Sequence, residues 1–346
     1  VANLSVLGYD PAVYYTGRSP LEAVSLGVDL AEGDAAFRCN LVTLSEEPEY
    51  RDRVMVDYSA DEISTDEARE LINEVGRQLG SEEFSFYAGI SYRHLMVWRD
   101  GSLEVELTPP HDIPGKRIES HLPRGRCGPQ LLALMQASPE ILDQHPVNRR
   151  RIKNGQRPAN SIWFWGEGRK PSLSSFADKF GLNGSVVCAV DLIQGLGVCA
   201  GLKPVRVPGA TGGIVTNFLG KAQAAIRELL GGQDFVFIHI EAPDEAGHRG
   251  ELDSKVRAIE SIDREVVGEI VSALEGIEYK LLLLPDHPTP ICVRTHVAEP
   301  VPFLIYHSGA EYAGAPVFSE RACREKGWTV SIGHALMECF ILGRGA

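Results

Sequence analysis

Beyond residue 169 the chain alternates two textures, and few folds accommodate the pair. Short runs are apolar at nearly every position: Ser185–Val190, Phe235–Ile240, Tyr279–Leu284 and Val301–Tyr306. Between them lie longer stretches that are apolar on one side only. The clearest is Leu252–Leu274, with Val256, Ile259, Ile262, Val266, Ile270 and Leu274 at helical spacing. A strand that is apolar on both faces must be covered on both faces. The alternation therefore predicts an α/β fold, a mostly parallel sheet with helices on either side.

The preceding region has a different grammar. Ala36–Val42 and Arg53–Tyr58 look like strands, and Ser64-Thr65-Asp66-Glu67 is a capping box. That box opens a helix whose Ala68, Leu71, Ile72, Val75 and Leu79 form one stripe. Three further runs follow, Phe84–Tyr87, Tyr92–Trp98 and Leu103–Leu107, the last two joined by the turn Arg99-Asp100-Gly101. Residues 33–168 thus read as an inserted α+β domain with antiparallel pairing. Residues 1–32 and 169–346 form a second, discontinuous domain, in which Ser19 and Pro20 open an early helix as N-cap and first helical residue.

Composition narrows the partners. The net charge is −13, which repels a nucleic-acid backbone; the one basic run, Asn148–Lys153, is short and holds no aromatics. No stretch reaches the 18 or so apolar residues that a membrane helix needs. The seven cysteines are widely spaced and form no CxxC, as expected of free thiols in a reducing cytoplasm.

Three fragments carry the chemistry. Asp244 and His248 follow the run Phe235–Ile240, Asp286 and His287 follow Leu281–Leu284, and His296 lies nine residues further on. In open α/β sheets the crevice beyond the carboxyl ends of the strands is where ligands bind. A lone Asp at a strand end is usually a helix cap and a lone His a core or surface residue, but five at one edge read as ligands. Asp244 and His248, four apart, can address one ion. The adjacent Asp286 and His287 project differently and suit two neighbouring ions. Mixed carboxylate and imidazole donors favour Mn²⁺ or Zn²⁺, with Mg²⁺ possible. Two such ions can activate a nucleophile and neutralise a transferring phosphoryl group. His239 and Glu241 flank the first loop and are left outside the ligand set.

The middle domain offers groups that could hold a small anion: Arg93 and His94, then His111, Asp112, Lys116 and Arg117, and Asn160. Trp163 and Trp165 suggest a wall or interdomain packing.

With these residues named, the chain resembles the archaeal-type cofactor-independent (2,3-bisphosphoglycerate-independent) phosphoglycerate mutases of the alkaline phosphatase superfamily. The resemblance rests on Val1–Pro11, Gly89–His94, His111–Lys116, Ala159–Gly168, Ala189–Ile193, Asp244–His248, Asp286-His287 and His296, in the right order along most of the chain. It implies one ion on Asp244, His248 and His296. It implies a second on Asp286 and His287, completed by an earlier Asp and a nucleophilic Ser. In the family that Ser sits in a Gly-Ser-Asp stretch just before Val-Ala-Asn, so it is expected upstream of Val1 and none of the serines here is assigned the role. On this expectation the catalytic domain is N-terminally truncated.

The resemblance further implies interconversion of 3-phosphoglycerate and 2-phosphoglycerate through a phosphoserine, without 2,3-bisphosphoglycerate. The inserted domain would act as a substrate-binding lid, and the partner is a small phosphorylated metabolite. A phosphotransferase acting on another small hydroxyl acceptor such as homoserine, a metal-dependent phosphatase and a non-catalytic binding protein are the competing readings. The oligomeric state has no signature in the sequence.

Overall fold

The computed structural model describes all residues except 311–313, 316, 327 and 344–346. The chain divides into two compact units, Val1–Tyr15 with Ser172–Ala346, and Thr16–Pro171. The first boundary therefore falls near residue 16, where the sequence suggested 32. The helix Ser19–Ser25 belongs with the second unit because Ala23, Val28 and Leu30 bury against Ala36, Leu95 and Val97 of its sheet. Ser19 is the first residue of that helix and caps nothing; its hydroxyl instead donates to the Gly166 carbonyl at 2.5 Å.

The second unit is built on a five-stranded antiparallel sheet. Its strands are β1 (Ala35–Leu44), β2 (Met55–Asp57), β3 (Phe84–Ile90), β4 (Arg93–Trp98) and β5 (Ser161–Gly168). β1 pairs with β2, β4 and β5, and β4 also pairs with β3. The helices Thr65–Leu79 and Gly128–Leu142 cover one face, burying Leu71, Ile72, Val75, Leu131 and Met135 with Phe37, Cys39 and Leu41. The Ser64 half of the predicted capping box is present, its hydroxyl accepting from the Glu67 N–H, while the Glu67 carboxylate accepts from that hydroxyl and from Arg151. Leu103–Leu107 is not a strand paired with β4. Both edges of β4 are occupied, and this segment bonds instead to the backbone around Arg124 through Glu106.

In the first unit, β6 (Gly184–Val187), β7 (Lys203–Val205) and β8 (Phe235–Ile238) run parallel in the order β7-β6-β8. The last two strands depart from the expected parallel sheet. β9 (Lys280–Leu283) and β10 (Leu304–His307) form a separate antiparallel pair. Two helical segments pack on the parallel strands, placing Phe218, Ala222, Ala225, Ala258, Val266, Ile270 and Leu274 against Val187.

The long helix is not uniform. Leu252–Ser261 is α-helical, Ile262–Val267 forms a wider π turn, and Gly268–Ala273 is α-helical again. Its buried positions, Ala258, Val266, Ile270 and Leu274, keep a spacing of four or its multiple. At about 3.6 residues per turn that spacing drifts steadily round an ideal helix, and the wider turn absorbs the drift. Val256 and Ile259, predicted on the buried face, consequently lie 45% and 52% exposed.

None of the seven cysteines, each among the described residues, forms a disulfide. Among the described residues no helix is long and apolar enough to cross a membrane.

Candidate metal centre

β8 delivers the chain through His239, Ile240 and Glu241 into the helix Ala242–Arg249, which has Pro243 in its first turn. On this helix Asp244 and His248 are four residues apart and so share a face. Gly250 ends it with φ +73°, and a side chain there would collide with the Arg294 guanidinium. From the other direction β9 leads through Leu284 and Pro285 to Asp286 and His287. A turn at Pro290–Arg294 then brings His296 back.

These loops converge. His248 Nε2 lies 3.3 Å from Asp244 Oδ2, His296 Nε2 lies 3.3 Å from Asp244 Oδ1, and the two Nε2 atoms are 3.1 Å apart. Asp244, His248 and His296 thus present ligand atoms within 4.8 Å of one another. His287 adjoins them, its ring centroid 3.7 Å from that of His296 and its Nδ1 3.9 Å from Asp244 Oδ1. The Nε2 of His287 faces Asp286 Oδ2 at 3.4 Å. All five residues singled out at the strand ends therefore meet in one place.

The donor set fits a divalent ion. Nitrogens bound tetrahedrally to zinc at 2.0–2.1 Å stand about 3.3 Å from one another, and the separations among Asp244, His248 and His296 are of that size. Burial lowers the pKa of His296, and its neighbour His287 acts in the same direction. Both keep the imidazole neutral, the form that ligates.

Several supporting residues were not legible in the sequence. The Asn3 amide, from the short helix Ala2–Val6, donates to Asp286 Oδ2 at 2.8 Å. The Thr289 hydroxyl donates to Asp244 Oδ1. The Arg294 carbonyl lies 3.0 Å from His248 Nδ1, which fixes that ring with its proton on Nδ1 and Nε2 free. Beneath the loops Lys221 is 1% exposed, and burial lowers its pKa. The Cys188 thiol, 3.7 Å from His239 Nδ1, is pushed up to about 12, chiefly by burial. No motif marks any of these partners; their types are common and their contacts cross the chain.

In the second unit the predicted anion-binding residues separate into two groups. Arg93 is exposed beside Tyr92, 5.4 Å from its ring, and His111 packs on Trp165 and Tyr58 at 5.0 and 6.2 Å. Asp112 is exposed 3.8 Å from His111, Lys116 donates to the Asp112 carbonyl, and Arg117 pairs with Asp52 and Glu119. His94 and Asn160 do not fit a substrate-binding role. His94 is 2% exposed, with Nδ1 accepting from the Gly89 N–H, because its position on β4 faces the core. Asn160 is buried, and both ends of its amide are bonded to the backbone of Leu44. Trp163 is likewise internal to the unit, its indole N–H donating to Thr108. Arg38, which carried no sequence signal, is buried between Glu22 at 2.9 Å and the Trp165 ring at 4.6 Å. Burial pushes its pKa down to about 10.

Comparison with known proteins gives a consistent family. The family model described as 2,3-bisphosphoglycerate-independent phosphoglycerate mutase matches residues 1–148, and that described as Metalloenzyme superfamily matches residues 103–342. A probable 2,3-bisphosphoglycerate-independent phosphoglycerate mutase of Geobacter sulfurreducens is 51% identical over 343 residues, covering 99% of this chain and 85% of that protein. The Methanosarcina barkeri 2,3-bisphosphoglycerate-independent phosphoglycerate mutase is 50% identical, over 94% of this chain and 81% of its own length. Among solved structures, a Pyrococcus horikoshii protein aligns with TM-score 0.80 at 27% identity, over all of this chain and 83% of that one. The cofactor-independent phosphoglycerate mutase of Thermoplasma acidophilum aligns with TM-score 0.66 at 27% identity, over 98% of this chain and 84% of that one.

Proposed function

Because this chain belongs to the family of 2,3-bisphosphoglycerate-independent phosphoglycerate mutases, we propose that it interconverts 3-phosphoglycerate and 2-phosphoglycerate at a centre of two divalent ions. The observation that carries the metal half of this reading is the convergence of Asp244, His248 and His296, with Asp286 and His287 alongside. Asp244, His248 and His296 would hold one ion, and Asp286 and His287 would contribute to the other. Bound there, Mn²⁺ or Zn²⁺ would supply Lewis-acid stabilisation of the transferring phosphoryl group and lower the pKa of a nucleophilic hydroxyl.

The protein's own groups set the terms of that chemistry. Asp244 and Asp286 bring negative charge that a dication offsets. The neutral imidazoles add donors without adding charge, leaving the centre net attractive to a phosphate. Asn3 and Thr289 hold the two carboxylates in place before substrate arrives, so their orientation is set in advance. A serine would carry the phosphoryl group between the two hydroxyls of glycerate, and no serine of this sequence is assigned that role. Arg93 and His111 of the unit Thr16–Pro171 are the proposed grips for the substrate carboxylate, in keeping with the preference of guanidinium for carboxylates. That unit would then act as the substrate-binding lid of a catalytic unit formed by the rest of the chain.

The deciding experiment follows 3-phosphoglycerate by ³¹P NMR with the protein and Mn²⁺, in the absence of 2,3-bisphosphoglycerate. The expected result is an equilibrium mixture with 2-phosphoglycerate, abolished by EDTA. Release of inorganic phosphate without isomer, or phosphorylation of added homoserine in its place, would overturn the mutase reading.

A further inference from the structure

The two ligand loops come from strands that share no ladder among the described residues: β8 closes the three-stranded parallel sheet and β9 belongs to the separate antiparallel pair. Backbone pairing therefore does not set the position of Asp244 relative to His287. Side chains span that gap instead: His248 bonds the Arg294 carbonyl, and Thr289 touches both Asp244 and His287. Thr289 is 4% exposed, its hydroxyl donates to Asp244 Oδ1, and the same oxygen lies 3.4 Å from His287 Nδ1.

We propose that Thr289 is a positioning residue that ties the two halves of the metal centre together, orienting Asp244 and fixing the tautomer of His287 through one hydroxyl. The inference rests on the reading of Asp244, His248, His296, Asp286 and His287 as metal ligands.

The hydrogen-bond inventory leaves one solution. A hydroxyl has a single proton and two lone pairs, and an ionised carboxylate can only accept. The Thr289 proton therefore goes to Asp244, and an oxygen lone pair faces His287. Only a protonated Nδ1 can pair with it, so the lone pair of the neutral imidazole is on Nε2. That is the nitrogen turned toward Asp286 Oδ2 at 3.4 Å. On the first site the same bond steadies the Asp244 carboxylate, whose two oxygens are each 3.3 Å from a histidine.

Thr289 itself is held firmly enough to act this way. Its carbonyl accepts from Lys255 Nζ at 2.7 Å. Its backbone lies so close to Gly247 that a Cβ there would come within 2.6 Å of the Thr289 carbonyl oxygen. The residue is thus pinned against the same helix that carries Asp244 and His248.

The test compares T289V, which keeps the shape and loses the hydroxyl, with T289S, which keeps the hydroxyl. Mn²⁺ titration of the metal-free protein by calorimetry is paired with long-range ¹H–¹⁵N NMR of the His287 ring. T289V should bind both ions about 10- to 100-fold more weakly, the usual range for loss of an outer-shell partner, and should lose the preference for the Nδ1-protonated ring. T289S should retain wild-type affinity and the wild-type tautomer. Wild-type affinity together with an unchanged tautomer in T289V would overturn the proposal. If T289V does not fold, as judged by thermal unfolding in EDTA, T289A against T289S makes the same comparison, and equal affinities overturn it. A wild-type protein that binds no divalent ion would instead sink the metal-centre reading, and this inference with it.

Discussion

His248 and His296 face one another through their Nε2 atoms at 3.1 Å, although 48 residues separate them in the chain. The Arg294 carbonyl occupies the other nitrogen of His248, so the facing atom is the one that carries the lone pair. Removing either ring takes away a proposed ligand outright. H248A and H296A should each weaken the first ion by more than the 10- to 100-fold associated with outer-shell losses. Metal content after dialysis at limiting Mn²⁺ measures this directly, and unchanged stoichiometry in both variants would contradict the assignment.

Asn3 supports the second site alone. Its amide donates to Asp286 Oδ2 at 2.8 Å, a carboxylate proposed for the second ion and not for the first. N3L, of similar size but without donors, should weaken the second ion about 10- to 100-fold while sparing the first. Calorimetric titration with Mn²⁺ should resolve two classes of site in the wild type. A uniform loss at both sites would show that Asn3 acts through the fold.

His94 predicts a pH dependence of stability. Burial pushes its pKa down to about 3, below the unfolded value of about 6.5. Between those values the unfolded chain binds a proton that the folded chain does not, so stability rises with pH across that window. The contribution is complete above about pH 6.5 and is lost as pH falls toward 3, at up to about 1.4 kcal/mol per unit. Relative to H94Q, the wild type should therefore lose stability on acidification from pH 6.5 to 5 in urea unfolding. Parallel pH profiles for the two proteins would refute it.

Asn160 should matter to stability. Its carbonyl accepts from the Leu44 N–H at 2.8 Å and its amide donates to the Leu44 carbonyl at 2.9 Å, all inside the core. N160A strands both backbone groups, and at about 1–3 kcal/mol for each unsatisfied buried group it should cost about 2–6 kcal/mol. Chemical denaturation checks the magnitude.

The phase of the helical run Leu252–Ala273 can be tested by two substitutions. V256S, on the exposed side, should change stability by no more than about 0.5 kcal/mol. I270A, on the buried side, should cost about 2–5 kcal/mol. Equal effects would mean that the π turn Ile262–Val267 does not set the helix phase.

What could be read from the sequence was local. Asp244 and His248 are four apart and Asp286 and His287 adjacent, so helical spacing and position at strand ends made them candidates before any fold was known. The capping box at Ser64 and the stripe of the following helix were legible for the same reason: a period or a cap needs only neighbouring residues. Partners distant in the chain were decided by the tertiary structure. Strand pairing joined β9 to β10 antiparallel and left Leu103–Leu107 without β4. The same packing drew the helix Ser19–Ser25 onto the five-stranded sheet. It turned His94 and Asn160 inward, away from any ligand, and buried Arg38 against Trp165. For the five candidate ligands, the sequence determined which residue types stand at the strand ends. Only the fold could bring Thr289 and Asn3 to their carboxylates, because a hydrogen bond depends on distance and direction, and neither is encoded in local spacing.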